Sequence, residues 1–412
     1  MHLRSLVIAL DLPVPVSGGG DLRTRSVIEA LGRLGPVGVF GVRPRPAEPS
    51  PVPGLTAWRS STDPRLLDPR AQAEASLGWL GRADGHPGDR WWSDLAAAEL
   101  ARLAGELEPD LIVVEGLWVA GYGEAIRGPG RHLVLDAHNA ESALLGDLLD
   151  ARGGHLPVAV ATRIGARVGR REAAAVAAAD QTWAPSRRDA AALAAADPAG
   201  SDRIHVVPNG IPVDAYRGPP AGRRGRVMIY PASFAYPPNR EAARRLVGGL
   251  LPVVRGAVAD ARLLLVGRDL PEELGRATGV EAPGWVPDML PYLHRASVMP
   301  VALREGAGTR LKVIEAFAAG VAVVSTAKGV EGLDVRDGEH VVLADSDADL
   351  AAGVLRVWAD DRLRARLTAS GLAFARERHG PDAVAAAIGR ALRGRGGVPA
   401  AGVADARLLR PR

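Results

Sequence analysis

The chain contains no cysteine, which excludes disulfides, thiolate nucleophiles, thiolate zinc sites and iron–sulfur clusters. Long apolar runs are also missing, because no stretch approaches the roughly 20 residues of a membrane span. The N-terminal apolar run, residues 6–10, stops at Asp11, whereas a signal peptide needs an apolar core of roughly 7–15 residues. We therefore expect a cytoplasmic protein that meets a membrane only at its surface.

Lysine is equally scarce, since only two of the 51 basic residues are lysines and the rest are arginines. These arginines are scattered among 47 acidic residues, so that the formal net charge is only +4 although the sequence pI is about 9.8. No basic block is interleaved with aromatic residues. This distribution argues against nucleic acid as a partner.

Length and periodicity predict an α/β protein of two domains. The chain has 412 residues, 47% of them hydrophobic and 24% charged, as in soluble globular proteins. Short β-branched runs alternate with longer amphipathic segments, which is typical of parallel sheets wrapped by helices. Strands are predicted at 5–10, 37–42, 111–114, 132–135, 204–207, 227–230, 263–266, 298–301, 321–325 and 341–343. Helices are predicted at 22–34, 94–107, 141–149, 163–179, 240–250, 289–295, 311–319, 347–358, 362–378 and 382–392.

One segment, residues 44–92, is predicted to lack regular structure. It contains eight prolines and four tryptophans and shows little periodicity. The favoured interpretation is that the tryptophans anchor an irregular flap to its own domain. The alternative is a substrate-facing loop in which they stack on a sugar. The four residues are Trp58, Trp79, Trp91 and Trp92.

The stretch Gly-Ala-Gly-Thr-Arg-Leu-Lys-Val-Ile-Glu, residues 306–315, predicts a phosphate site. Glycines let a backbone approach a ligand, and the first amides of the helix that follows favour an anion. Gly306, Gly308 and Thr309 form this turn. Arg310 and Lys312 add two cations to it.

Glu315 lies three residues beyond Lys312 on the same helical face. A carboxylate beside phosphates is suited to the hydroxyls of a ribose. The alternative is a solvated ion pair between Lys312 and Glu315, worth under about 1 kcal/mol.

The chain has only three asparagines, namely Asn139, Asn209 and Asn239. Each follows a predicted strand directly, where ligands bind in doubly wound sheets. Because asparagine is also a common turn residue, a structural role is the alternative. Asp136 and His138 end one predicted strand on the same face and are predicted to be functional.

Gly18, Gly19 and Gly20 follow the first strand without the spacing of a dinucleotide fingerprint. They are predicted either to let a phosphate or an acceptor approach the backbone or to form a plain turn. Glu141 is predicted to cap the next helix.

Two charged patterns are interpreted as structural. Arginines 163, 167, 170 and 171 recur at helical spacing, which indicates a solvated face, with attraction of anionic lipid or a phosphorylated acceptor as the alternative. Aspartates 345, 347 and 349 lack the glycine and glutamate of a calcium loop and are interpreted as a turn and a helix cap. No metal and no cofactor are predicted.

Residues 284–333, from GWVPDMLPYLH to KGVEGL, resemble the donor-binding half of retaining glycosyltransferases of family four, which have the GT-B fold. The segments VLDAHNAESALL and VVPNGIPVD resemble the N-terminal and hinge parts of the same family. The resemblance spans roughly residues 3–380 and is weakest between 44 and 92.

This resemblance implies transfer of a sugar from a nucleotide diphosphate donor, without a metal, to an unidentified carbohydrate, lipid or small natural product. Glu315 would hold the ribose, the backbone around Val286 would face the base, and His138 would contact the sugar. Ala307 stands where the family has its first motif glutamate. The usual cations after the first donor-domain strand are also missing, and Arg310 with Lys312 is hypothesised to replace them.

The resemblance also implies two Rossmann-like domains that face a central cleft, with C-terminal helices crossing back. The predicted parts are an acceptor domain at 1–212, a linker at 213–225, a donor domain at 226–378, a terminal helix on the N-terminal domain at 379–394 and a disordered tail at 395–412. Alternatives to a transferase are a non-catalytic nucleotide-sugar binder, a sugar phosphorylase or an epimerase.

Overall fold

The computed structural model describes residues 3–12, 18–45, 52–82, 85–151, 158–218, 225–306, 308 and 310–394. Two compact units divide these residues. The first unit comprises 3–146, 158–210 and 381–394, and the second comprises 147–151 and 211–380. The predicted tail at 395–412 lies outside the described residues.

A seven-stranded parallel sheet forms the centre of the first unit, in the order β3-β2-β1-β4-β5-β6-β7. Its strands are β1 (Ser5–Ala9), β2 (Val37–Gly41), β3 (Leu55–Ser60), β4 (Leu111–Glu115), β5 (His132–Asp136), β6 (Gln181–Ala184) and β7 (Ile204–Val206). Every residue of β1, β2, β4 and β5 is buried. Parallel sheets are covered on both faces, which explains these continuous apolar runs.

Within the described residues, seven helices lie between the strands of this sheet along the chain. They are α1 (Gly19–Gly32), α2 (Pro69–Gly81), α3 (Asp94–Leu107), α4 (Ala120–Ala125), α5 (Glu141–Ala151), α6 (Val158–Ala178) and α7 (Arg187–Ala196). Alternate residues of β1 enter different cores: Leu6 and Ile8 lie in one cluster and Val7 in the other. The period of two along a strand therefore divides the apolar residues between the two faces.

The second unit contains a six-stranded parallel sheet in the order β10-β9-β8-β11-β12-β13. Its strands are β8 (Val227–Pro231), β9 (Arg262–Val266), β10 (Val280–Gly284), β11 (Val298–Val301), β12 (Ala322–Ser325) and β13 (Val341–Leu343). Its helices are α8 (Pro237–Arg245), α9 (Leu251–Ala257), α10 (Glu272–Gly275), α11 (Leu290–Arg295), α12 (Leu311–Ala318), α13 (Asp347–Ala359) and α14 (Asp361–His379). A π-helical turn, Leu246–Leu250, joins α8 to α9.

The last described helix, α15 (Pro381–Arg393), groups with the first unit. Its residues Val384 and Ile388 share a core cluster with Val27 and Leu31 of α1. Residues 211–218, at the predicted start of the linker, group instead with the second unit.

Both strand orders reverse direction once, between β1 and β4 in the first unit and between β8 and β11 in the second. In doubly wound sheets, ligands bind outside the carboxyl ends of the strands at such a switch point. Each unit therefore offers one crevice in which to look for functional side chains.

The α/β class and all ten predicted strands are confirmed, with ends that shift by at most one residue. The prediction that 44–92 lacks regular structure is wrong, because β3 and α2 lie within it. β3 is an edge strand beside β2 and is at most half-buried, so it has no continuous apolar run that would reveal it. β6, β10 and α7 were also missed.

Crossing a membrane requires a long and uniformly apolar helix, and none of the helices in the described part of the chain meets that requirement.

Candidate functional site

Lys312 occupies the switch point of the second unit, in the first turn of α12. Its Nζ donates a hydrogen bond to Oδ1 of Asn239, 3.0 Å away, and lies 4.2 Å from the centroid of the Tyr230 ring. The Tyr230 hydroxyl donates to the same Asn239 oxygen at 3.1 Å, and Asn239 Nδ2 donates to the Ser233 carbonyl at 2.9 Å. Asn239 thereby links the end of β8 to α12.

The Lys312 ammonium contacts an amide oxygen and an aromatic face, both neutral. Burial, followed by the charge of Arg310, lowers the pKa of Lys312 to about 7. An anion bound beside it would raise that pKa again, because an opposite charge favours the protonated form. Lys312 is thus a cation whose charged state depends on a ligand.

Glu315 is held by a tyrosine. The hydroxyl of Tyr216 donates to Glu315 Oε1 at 2.8 Å, and burial raises the pKa of both groups. Within the described residues no ion pair joins Glu315 to Lys312, so the alternative of a solvated ion pair between them is wrong. Tyr216 fixes the orientation of the carboxylate.

The loop before α12 is braced from inside. Arg310 is only 6% exposed and donates to the Gly306 carbonyl at 2.8 Å. Gly306 has a φ of 93°, and a side chain there would stand 2.7 Å from the Tyr236 hydroxyl, so the position requires glycine. Gly308 also has a positive φ, of 96°. The structure thus places Arg310 in support of the loop, and its predicted phosphate contact stays a prediction.

Ala307 and Thr309 lie outside the described residues. Val286, which is predicted to face the base, follows Gly284 and Trp285 in the sequence. Those two residues help to line a cavity of about 570 Å³. The Arg268 guanidinium lies 5.1 Å from the centroid of the Trp285 ring, which is 53% exposed. Trp285 and Arg268 were not predicted, although the exposed tryptophan stands beside Val286 in the sequence.

In the first unit, Asp136 and His138 lie at the carboxyl end of β5, where Asp136 is fully buried. His138 Nε2 lies 2.9 Å from Glu115 Oε2 at the end of β4, and the Thr24 hydroxyl donates to the same oxygen at 2.9 Å. Gly20 approaches the other side of the imidazole, since a side chain there would stand 3.4 Å from His138 Nδ1.

Arg23 connects the remaining predicted residues of this crevice. It is 1% exposed, and its Nε donates to Asp136 Oδ2 at 2.9 Å while Nη2 bonds the other carboxylate oxygen. Nη1 donates to Asn209 Oδ1 at 2.7 Å and to the Val207 carbonyl at 2.9 Å. Asp136 and Asn209 are therefore brought together by a residue of α1 that was not predicted.

Burial raises the pKa of Glu115 and of Asp136 to about 7 despite the charge of Arg23. Burial also lowers the pKa of His138. Burial therefore disfavours the charged form of each of these three groups, and the guanidinium of Arg23 offsets part of that cost for the two carboxyls.

The carboxyls of Glu115 and Asp136 and the imidazole of His138 offer possible metal ligands within 4.8 Å of one another. However, Arg23 already bonds both oxygens of Asp136. Because this guanidinium supplies the positive charge, a metal ion would have to displace or repel it. Metal-free function stays a prediction.

Two local predictions are corrected. Gly19 and Gly20 form the first turn of α1, with extended Gly18 as its N-cap, so the plain turn is wrong, while approach of a phosphate or an acceptor to this backbone stays a prediction. The N-terminus of α5 is capped by Glu172, which accepts from the backbone of Glu141 and Ser142. Asn139 donates to Glu141 Oε1 at 3.4 Å.

The arginine ladder on α6 is only partly solvated. Arg163 and Arg170 are exposed, but Arg167 is 4% exposed and donates to the Arg82 carbonyl at 2.7 Å. Arg171 is half-buried and lines a cavity. The interpretation of a uniform solvated face is wrong for these two residues.

The remaining aromatic and acidic predictions have mixed outcomes. Trp58 packs against the core, which confirms it as an anchor, whereas Trp92 is 44% exposed. The side chain of Trp79 lies outside the described residues. Ser346, rather than an aspartate, caps α13 by accepting from the Asp349 amide at 3.0 Å.

The sequence of this chain is similar to two families of glycosyltransferase domains. A family described as Glycosyltransferase Family 4 matches residues 18–215, and one described as Glycosyl transferases group 1 matches residues 225–360. Sucrose-phosphate synthase from Thermosynechococcus elongatus has a similar structure, with a TM-score of 0.69 and 20% identity over 95% of this chain and 98% of its own. The chain carries glycosyltransferase domains on a GT-B fold.

Two further relatives support this assignment. D-inositol 3-phosphate glycosyltransferase from Acidothermus cellulolyticus is 29% identical over 310 residues, which are 65% of this chain and 68% of the relative. The Anabaena protein HepE, solved in complex with UDP and glucose, has a TM-score of 0.62 and 16% identity over 94% of this chain and 99% of its own.

Replacement of Arg23 tests the buried pair in the first unit. We expect Arg23→Met to cost about 3–5 kcal/mol of stability, because Asp136 keeps a buried charge without its partner. Arg25→Met, two residues away in α1, removes a more exposed pair with Glu29 and should cost under about 1 kcal/mol. Calorimetric unfolding midpoints measure both losses.

The pH dependence identifies the cause. Asp136 ionises near pH 4 in the unfolded chain but has a pKa of about 7 in the folded wild type, and loss of Arg23 disfavours its charged form further. The stability difference between wild type and Arg23→Met should therefore widen as pH rises above about 7, and adding Asp136→Asn to Arg23→Met should restore most of the lost stability at pH 8. Equal losses for Arg23→Met and Arg25→Met would contradict this account.

Proposed function

We propose that the protein is a retaining glycosyltransferase of family four that transfers a sugar from a UDP-sugar without a metal. The observation that carries the proposal is Lys312, a half-buried cation at the N-terminus of α12 that contacts a neutral amide oxygen and a neutral aromatic ring. Helix N-termini favour phosphate, and lysine supplies a compact point charge. The structural relative HepE was solved with UDP and glucose, which supports a uridine nucleotide as the donor.

Each donor group has a counterpart in the second unit. The diphosphate would lie against Lys312 and the amides of α12, where negative charge is best stabilised. The ribose hydroxyls would bond Glu315, whose carboxylate Tyr216 already orients. The base would enter the cavity beside Gly284 and stack on Trp285.

The reaction follows from where charge develops. As the bond between the sugar and the diphosphate breaks, negative charge grows on the departing phosphate while the sugar gains oxocarbenium character. A cation and helix amides that are already in place stabilise this charge without reorganisation. Arg310 contributes by holding the Gly306 loop in position for the phosphate, and His138 is proposed to contact the sugar.

Removal of the lysine tests the proposal. The protein is offered UDP-, GDP- and dTDP-sugars in the presence of a chelator, and released nucleotide is measured. We expect release from the UDP-sugar, and Lys312→Ala should slow it by about 10²–10³-fold, as the loss of one oxyanion donor does elsewhere. Arg244→Ala removes an exposed charge from neighbouring α8 and serves as the control.

Unchanged turnover in folded Lys312→Ala would contradict the role of Lys312. Donor binding without nucleotide release, whatever acceptor is added, would favour a non-catalytic binder. Interconversion of the donor without an acceptor, or cleavage that requires inorganic phosphate, would favour an epimerase or a phosphorylase.

The pKa of Lys312 predicts that UDP binding takes up a proton. Because this pKa is about 7, the Lys312 amine is mostly uncharged at pH 8 in the protein without UDP. The bound diphosphate favours the charged form of this amine. Titration calorimetry in two buffers of different ionisation enthalpy should show uptake of nearly one proton at pH 8 and less at pH 6.5. Affinity should fall by up to about tenfold per pH unit above 7.

Lys312→Arg is the matched variant for this experiment, because a guanidinium stays charged throughout this range. It should bind UDP without proton uptake at pH 8. Equal uptake by wild type and Lys312→Arg would assign the proton to another group.

A further inference from the structure

A second cavity, in the first unit, is assigned to nothing described so far. It has a volume of about 250 Å³ and is lined by residues from four parts of the chain: the segment before α3, the turn between β4 and α4, helix α4 and helix α6. Its principal side chains are His86, Asp89, Trp92, Trp118, Tyr122 and Arg171. The turn follows Glu115 directly, at the carboxyl end of the sheet.

Aromatic rings form its walls. Trp92 stacks on Tyr122 with a centroid distance of 4.7 Å and an interplanar angle of 29°, and His86 lies 5.4 Å from Trp118. The Tyr122 hydroxyl is fixed, because it accepts from the Ser93 amide and donates to the Trp91 carbonyl. These walls are rigid apolar platforms of the kind on which a ring compound stacks.

Arg171 brings a positive charge to the cavity. It is half-buried, and no hydrogen bond or ion pair to another described residue holds its guanidinium. A side chain at Gly121 would stand 3.1 Å from Arg171 Nη2 and 3.5 Å from Trp92, so the guanidinium lies beside the tryptophan wall. Arg167, one turn earlier, bonds the Arg82 carbonyl instead.

His86 adds a hydrogen-bond donor. It is 3% exposed, and its Nδ1 accepts from the Gly88 amide at 2.9 Å, so the proton of the neutral ring is on Nε2. That Nε2 is buried and has no partner among the described residues. Buried polar groups are nearly always satisfied, and an unsatisfied donor in a cavity wall indicates an acceptor on a ligand.

The carboxylate of Asp89, the acidic residue among the principal side chains, already has partners within the protein. Its Oδ2 accepts from the His86 amide at 3.0 Å and pairs with Arg82. The unmatched polar groups of the cavity are therefore a guanidinium and an imidazole N–H. Both select an anion, and the guanidinium is suited to the paired oxygens of a phosphate or a carboxylate.

We propose that this cavity binds the acceptor of the transfer reaction, a monosaccharide-sized ring compound that carries a phosphate or a carboxylate. The anion bonds Arg171 and His86 Nε2, while the ring stacks on the tryptophans. The volume is below the range of about 300–1,000 Å³ for drug-sized ligands, which suits one ring. Assignment of this compound as the acceptor rests on the proposed function; its binding does not.

Binding to the full chain tests the proposal. Calorimetry with glucose 6-phosphate, inositol 1-phosphate, glucuronate, glucose, inositol and inorganic phosphate separates the contributions of ring and charge. We expect a ring anion to bind, with phosphate and carboxylate probes showing which anion is preferred. Arg171→Gln should weaken it by about tenfold or more, as expected for a hydrogen bond to a charged group, whereas exposed Arg170→Gln on the same helix should not.

Gly121→Val is the second variant, since it fills part of the cavity beside Trp92 and Arg171 without removing the charge of Arg171. It should also weaken binding in a protein whose melting temperature is unchanged. The proposal is overturned if glucose or inositol binds as tightly as its phosphate, if inorganic phosphate alone binds as tightly as a ring phosphate, or if Arg171→Gln changes nothing. Absence of binding by every probe, in protein that binds UDP, also overturns it.

The two proposals fail separately. Lys312→Ala should lose UDP affinity and keep wild-type affinity for the ring anion, whereas Arg171→Gln should do the reverse. A ring anion that binds but receives no sugar from any donor would remove the acceptor assignment. Ring-anion binding that disappears in Lys312→Ala would place the anion at the donor site and overturn the separate cavity.

Discussion

A cationic side chain that is buried needs an opposite charge or hydrogen bonds to stabilise it. In this chain, the type of partner distinguishes the structural cations from those that we propose to be functional. Burial disfavours the charged form unless an opposite charge or hydrogen bonds compensate. Arg23 is fully compensated, because a carboxylate, an amide oxygen and a carbonyl surround it. Lys312 bonds an amide oxygen and an aromatic ring and feels the charge of Glu315 from a distance, and we propose that a bound anion completes the balance.

The two switch points illustrate this difference on similar scaffolds. In the first unit, Arg23 ties α1 to β5 and to the segment after β7, and thereby positions the carboxyl and imidazole groups around it. In the second unit, Asn239 ties the end of β8 to α12 and positions Lys312 without neutralising it. One crevice holds an internal ion pair, and the other holds a lysine that we propose to bind the diphosphate.

Much of the fold could be predicted from the sequence, because buried parallel strands are continuous apolar runs. The edge strand β3 and the short strands β6 and β10 escaped prediction, since their residues are partly exposed or their runs are brief. His138 and Asp136 were found because a strand of period two puts them on one face. Their partners, Arg23 and Glu115, come from distant parts of the chain, and pairing at that distance leaves no local pattern.

Arginine roles were the least predictable, because the same residue type serves three purposes on similar helices. Arg310, whose phosphate contact stays a prediction, also supports the Gly306 loop from a buried position. Arg167 and Arg171 share one helical ladder, yet one bonds a carbonyl and the other faces a cavity. Sequence spacing gives the face of a helix, whereas the neighbours that decide a side chain's role come from tertiary packing.

The most direct test of the account is a crystal structure of the protein with UDP. The account predicts the terminal phosphate within hydrogen-bond distance of Lys312 Nζ and the α12 amides, with the ribose hydroxyls on Glu315 and the uracil beside Trp285. A diphosphate bound away from Lys312, with Asn239 still its partner, would contradict the central claim that this lysine is kept for the donor.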